Sequence, residues 1–144
     1  MPRISVNDIH NISKTALVQH GALDWISEEV SDAVATSESV GNRICGLYYL
    51  ESYCEQLLSG RVNGQASPDV QLVRSGAIYV DADDGFAQPA FSKGLPEALK
   101  LAKENGIASL SVGRAHTCTS LGYFTKKIAE AGFLGLGLTN ASPI

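Results

Sequence analysis

The feature that most restricts how this chain can fold is an alternation that begins at residue 70. From there, short runs of β-branched and aliphatic residues take turns with segments of helical pattern. Val70 to Val73 and Ala77 to Val80 read as strands around the turn signal Ser75-Gly76. A helix is expected from Leu95-Pro96 to Asn105-Gly106, because proline suits a first helical turn and glycine the position past the last one. Ile107 to Val112 reads as a strand, Thr119 to Ala131 as a helix and Phe133 to Leu138 as a further strand. Strand, helix, strand, helix, strand is the signature of crossovers on a mainly parallel sheet. The chain reaches Ala141-Ser142-Pro143-Ile144 directly after the last apolar run, so the sheet is expected to be incomplete at its C-terminal side.

The residues before this region have a different period. Ser5 is placed to cap a helix, with Asp8 three residues on as an Asp version of the capping box. Ile9, Ile12 and Ala16 then recur at helical spacing up to Gly21. A second helix follows Leu23, Ile26, Val30 and Val34 towards Gly41, and a third runs from Leu47 to Ser59-Gly60 carrying Tyr48, Tyr49 and Tyr53. The expected organisation is a helical segment over 1–64 and a partial α/β region, βαβαβ in order, over 65–144. The 144 residues are enough for one structural unit of this kind. The fold class is therefore α/β (α+β).

Charge narrows the partners. Eleven Lys and Arg against fifteen Asp and Glu give a net charge of −4, without a basic run, which disfavours nucleic acid and anionic membranes. The N-terminus lacks the apolar stretch of a signal peptide, and no segment approaches the ~20 apolar residues of a membrane span, so a cytoplasmic protein is expected. Cys45, Cys54 and Cys118 are odd in number and lack CxxC spacing, which argues against a disulfide framework or a zinc site. Neither GxGxxG nor GxxxxGK[ST] occurs.

Chemistry concentrates in Gly113 to Gly122, which joins a strand to a helix, the place where open α/β sheets bind ligands. There His116 offers an imidazole, Thr117, Thr119 and Ser120 offer hydroxyls, and Cys118 a thiol. The plain alternative is that Thr119 or Ser120 caps the helix while His116 is a solvated loop residue. Asp81-Ala82-Asp83-Asp84-Gly85 reads as a turn ending a strand, since the later ligands of a calcium loop do not follow.

Three stretches together carry a resemblance: Gly46 to Pro68 with Tyr53 and Ser59-Gly60-Arg61-Val62-Asn63-Gly64, Val80 to Ala90 with Asp84-Gly85-Phe86, and Gly106 through Leu121-Gly122-Tyr123 to Pro143. In order, spacing and residue type they resemble the malate/L-lactate dehydrogenase family of non-Rossmann type, which includes ureidoglycolate, sulfolactate and cyclic-imine-carboxylate oxidoreductases. The resemblance covers nearly the whole chain but only the N-terminal part of the family's length. It implies NAD or NADP as cofactor and hydride transfer to or from a small 2-oxo acid, 2-hydroxy acid or cyclic imine carboxylate. It also implies a homodimer, or pairing with a complementary C-terminal chain.

Carried over position by position, the family's Ser-His-Gly motif falls on Ile44, Cys45 and Gly46, and its carboxylate-binding arginine on Tyr49, with Arg43 adjacent. The acid/base histidine of its second loop falls on Thr117 and the preceding serine on Ala115, while His116 lies one residue early. A threonine has no useful acid/base pKa, so His116 is the candidate proton donor. The cofactor-contacting turn falls on Thr139, Asn140 and Ala141. Two functions follow as expectations: a truncated or divergent NAD(P)-dependent oxidoreductase, inactive as the isolated chain, or a catalytically inactive relative acting as an assembly or interaction subunit.

Overall fold

A computed structural model describes residues 3–140. The chain divides into two compact units, one up to Gln65 and one from Ala66.

The first unit is helical. α1 (Val6–Gln19) starts where the capping residues predict: the Ser5 hydroxyl accepts from the Asp8 amide at 3.0 Å and donates to the Asp8 carboxylate at 2.6 Å. α2 (Asp24–Ser39) packs against it, with Ile9 and Leu17 of α1 and Ile26, Val30 and Val34 of α2 in the core. Ser13, Ser27 and Ser31 are fully buried on these helices, small enough for the backbones to approach closely. On the outer side Lys14 bonds Asp24 and Glu28 at 3.1 and 2.8 Å, and His10 meets Glu28 at 3.3 Å. A 3-10 turn (Arg43–Cys45) leads into α3 (Leu47–Leu58), whose Tyr53, Cys54 and Leu57 are buried.

The second unit carries a three-stranded sheet in the order β1-β2-β3: β1 (Asp69–Arg74), β2 (Ala77–Asp81) and β3 (Ser109–Gly113). β1 and β2 form an antiparallel hairpin, whereas β2 and β3 are parallel and joined by α4 (Ala87–Asn105). The sheet is therefore mixed, an α/β arrangement with one parallel crossover. Ile78, Val80 and Ala82 pack under Ala90, Ala98 and Leu101 of α4 to make the core. β1 is exposed along its whole length, and its ladder slips between Leu72 and Arg74, leaving Val73 as an extra residue on an edge strand. α5 (Leu121–Glu130) follows β3.

Two expectations need correction. α4 begins at Ala87, well before Leu95, and holds Pro96 in its interior. Its start is compatible with Pro89, whose missing N–H falls among the first-turn groups that have no intrahelical partner. The helix runs on through Gly94 because that glycine lies against the sheet: a β-carbon there would come within 2.6 Å of Val80 Cγ2 and 2.9 Å of Leu110 Cδ1. Phe133 to Leu138 is not a strand. Its alternation is real, but a strand needs a ladder partner and this segment lies against α5 instead. The glycines face the helix, where a β-carbon at Gly135 would meet Ile128 at 3.1 Å and one at Gly137 would meet Thr125 at 3.2 Å. Leu134, Leu136 and Leu138 point to solvent.

Candidate functional site

The parallel pairing of β2 and β3 puts the carboxyl ends of both strands side by side, Asp81 opposite Gly113. The chain leaving β2 and the chain leaving β3 then form one cluster. Ala82 donates its N–H to the Gly113 carbonyl at 2.9 Å, and His116 donates its N–H to the Gly85 carbonyl at 2.8 Å. Between those bonds, Arg114 reaches across: Nη2 and Nε meet the two oxygens of Asp84 at 2.5 and 3.3 Å, and Nη1 meets Asp81 at 3.1 Å. This bonding holds the Asp84 carboxyl below the usual carboxylate range and raises Arg114 further. The Asp83 N–H bonds the Asp81 side chain at 2.9 Å, so Asp81 is engaged on both oxygens.

The backbone here is unusual. Asp83, Asp84, Arg114 and Thr119 have φ of 55°, 56°, 49° and 54°. Aspartate tolerates the left-handed region, but for arginine and β-branched threonine it is strained unless the surroundings hold it.

His116 is half-buried, with its Nδ1 shielded from solvent and its ring edge-on to Phe86, centroids 6.0 Å apart. Thr117 is exposed on the same loop, and its hydroxyl accepts from the Thr119 N–H at 3.3 Å. Gln88, fully buried in the first turn of α4, donates its side-chain amide to the Cys118 carbonyl at 3.4 Å. Thr139 returns to this loop, the Cys118 thiol lying 3.6 Å from its hydroxyl, with exposed Asn140 next to it. Ser120 precedes α5 without capping it through its side chain. Gly113 lies against Tyr79, whose ring occupies the space a β-carbon would need.

His116 and Thr117 lie on the loop after β3, and Thr139 meets that loop at Cys118 with Asn140 following it; Ala141 lies outside the described residues. Arg43, Ile44, Cys45 and Tyr49 are in the first unit. Ile44 is largely exposed in the 3-10 turn, and the Cys45 N–H donates to Asn42 Oδ1 at 3.4 Å. Tyr49 stacks edge-on against buried Tyr53, centroids 5.1 Å apart, so one role of that pair is packing. The first unit's Leu47 N–H bonds Glu38 at 2.8 Å where Gly46 leaves room for the carboxylate.

Arg114, Asp84 and Gln88 were not readable as site residues. Each acts across about thirty positions of sequence, and only the pairing of β2 with β3 brings them together. A shallow depression of about 340 Å³ between Ser75, Asn105 and Ile107 lies at the other end of the sheet from His116.

The loop cluster offers hydroxyls, a carboxamide and one imidazole, donors and acceptors of the kind a carboxamide pairs with. Its one guanidinium is already committed to carboxylates, so Arg114 is unsuited to receive a substrate carboxylate. Among the described residues no group of His, Cys, Asp and Glu is arranged to hold a metal ion, and no helix is long and apolar enough to cross a membrane.

Comparison with known proteins gives consistent matches. The model of the family described as malate/L-lactate dehydrogenase matches residues 4–144. The Δ1-pyrroline-2-carboxylate/Δ1-piperideine-2-carboxylate reductase of Pseudomonas putida is 28% identical over 139 residues, 96% of this chain and 41% of that protein. The NADP+-dependent (2R)-3-sulfolactate dehydrogenase of Chromohalobacter salexigens is 30% identical over 138 residues, 96% of this chain and 41% of its own length. Among solved structures, Δ1-piperideine-2-carboxylate reductase from Pseudomonas syringae superposes with a TM-score of 0.87 at 26% identity, over 92% of this chain and 40% of that one. The chain spans about two fifths of the length of the curated relatives it matches.

Proposed function

Since the chain belongs to the malate/L-lactate dehydrogenase family, we propose that it serves an NAD(P)-dependent oxidoreductase acting on a small 2-oxo or 2-hydroxy acid or a cyclic imine carboxylate. The observation that supports this reading is the return of Thr139 to the loop of His116 and Thr117, through Cys118, after the carboxyl ends of the parallel strands, where α/β sheets bind ligands. When bound, the nicotinamide supplies or accepts the hydride.

The chain's own contribution is positional and protic. Thr117, Thr139 and Asn140 are the groups to hold the nicotinamide carboxamide. His116 gives a proton to the substrate oxygen or nitrogen as the adjacent carbon gains hydride, and takes it back in the oxidative direction. Thr117 orients and transfers no proton, because a hydroxyl of its pKa is not an acid/base at neutral pH. The pairing of the Arg114 cation with Asp81 and Asp84 leaves recognition of the substrate carboxylate to other groups. The same reading takes a homodimer in the cytoplasm as the working form.

The test, run on the chain within a complete enzyme complex because the isolated chain is expected to be inactive, is to supply NADH or NADPH with Δ1-piperideine-2-carboxylate or a 2-oxo acid and follow nicotinamide oxidation, with cofactor binding read separately by fluorescence. Turnover that His116→Ala abolishes while cofactor affinity holds supports the reading. Turnover unaffected by His116→Ala removes the proton-donor role, and absence of both binding and turnover overturns the proposal.

A further inference from the structure

We propose that Arg114 is a positioning residue for His116: by bridging Asp84 and Asp81 it holds two surplus residues in the chain after β2 and so fixes where the chain after β3 comes back into register. The inference takes its functional meaning from the role proposed for His116, but its geometry stands apart from that role.

The register shows the surplus. Along the ladder each residue of β2 pairs with one 32 positions later, from Ala77 with Ser109 to Asp81 with Gly113. Beyond the strands, pairing resumes once, at Phe86 with His116, where the separation is 30. The β2 side has therefore taken up two more residues than the β3 side. Between the two pairings that side contains Asp83 and Asp84, both left-handed. Opposite them Arg114 is left-handed too. Without the surplus, continuing the ladder would bring Cys118 to Phe86 in place of His116.

A bulge of this shape needs something to hold it, and the side chains around it do so. The guanidinium forks onto both oxygens of Asp84 and reaches Asp81, the last residue of the regular ladder. Asp83 is tied by its N–H to Asp81 and by its carboxylate to the Ser67 N–H at 3.2 Å. Arg114 thus joins the end of the ladder to the inside of the bulge, two residues before the histidine it positions. Two acceptors in different directions call for a planar fork, which lysine lacks.

The experiment compares amide hydrogen exchange at two positions of the full chain. The His116 N–H bonds Gly85 beyond the bulge, and the Ser109 N–H bonds Gly76 at 2.8 Å at the far end of the sheet. In Arg114→Met, His116 exchange is expected to accelerate about tenfold or more relative to Ser109, with the nuclear Overhauser contact between the His116 and Phe86 rings lost. Asp84→Asn keeps a residue that tolerates left-handed backbone while removing the charge and one of the two acceptors of the guanidinium, so it is the second variant should Arg114→Met not fold; it should show the same local loosening, and Arg114→Lys a partial one. Equal acceleration at both amides, or an unchanged His116 in the charge-deleted variants, overturns the proposal. Where the protein turns over, Arg114→Met should lower kcat, and because Thr117 lies on the same loop the cofactor KM should rise with it. A locally loosened His116 in variants of a chain whose turnover survives His116→Ala would uphold the clamp and refute the functional reading, so the two fail separately.

Discussion

Replacing Gly94 by alanine tests how tightly α4 sits on the sheet. The new β-carbon would be 2.6 Å from Val80 Cγ2, against an ordinary contact of at least 3.4 Å, so the atoms must part by about 0.8 Å. Val80 has little freedom to yield: it is completely buried, paired on both sides in the sheet, and stiff about χ1 as a β-branched residue. Overpacking of this kind costs about 1–3 kcal/mol, while glycine to alanine inside a helix returns about 1 kcal/mol. The expected net is a loss near 1 kcal/mol, or about 4 °C in Tm for a chain of this size. The sign is sharper evidence than the size. In a Val80→Ala background the obstructing methyl is gone and Leu110 can rotate, so the same Gly94→Ala change should become stabilising by up to about 1 kcal/mol. Thermal melts of the four proteins in the cycle decide it, and an identical effect of Gly94→Ala in both backgrounds would refute the argument.

Other perturbations follow from the same geometry. Phe91, buried and edge-on to Phe124 at 4.9 Å, should cost about 3–5 kcal/mol when cut to alanine, read by denaturant titration. Ser5→Ala removes the cap of α1 and should cost about 1 kcal/mol in the same assay. Because Arg114 depresses the Asp84 carboxyl, the stability from that pair is present above the ordinary value of 3.8 and is lost as pH falls through the lower folded value; Asp84→Asn should flatten the acid limb of Tm against pH. Lys14 has the opposite sign, since Glu28 and Asp24 raise it: its contribution is complete below 10.5 and lost as pH rises through the raised value, which Lys14→Met should abolish. Burial pushes the Cys54 thiol up, so iodoacetamide should label Cys45 and Cys118 well before Cys54, as peptide mass mapping would show.

What could be read in advance was local. The Ser5 cap, the ends of α1 and α3 and the β1–β2 hairpin are each signalled within a few residues, and the structure agrees. The start of α4 was hidden because Leu95-Pro96 is a sound local signal for a helix beginning, overridden by contacts of Gly94 with strands that lie elsewhere in the sequence. Phe133 to Leu138 shows the same limit. Alternation gave its extended form, but only α5 decides that the glycines turn inward. At the candidate site, His116 was visible as a reactive side chain in a strand-to-helix loop, while the surplus at Asp83 and Asp84 is a difference between two chain segments and has no signature in either alone.

The mixed sheet also sets an order of assembly. β1 and β2 meet across a turn at Ser75-Gly76, a closure so short that hairpins of this kind form in about 1–10 μs. β3 must instead find β2 from 32 residues away, and the entropy lost in closing that loop precedes any ladder bond it gains. α4 shortens the search by folding the intervening chain into a rod that already carries the apolar face the strands bury. Substitutions on the inner face of α4, such as Ala90 or Leu101, should therefore slow folding, whereas those in β3 should mainly speed unfolding. The crossover helix that brings the two loop segments of the site together is, in kinetic terms, also the step that lets the parallel pair form.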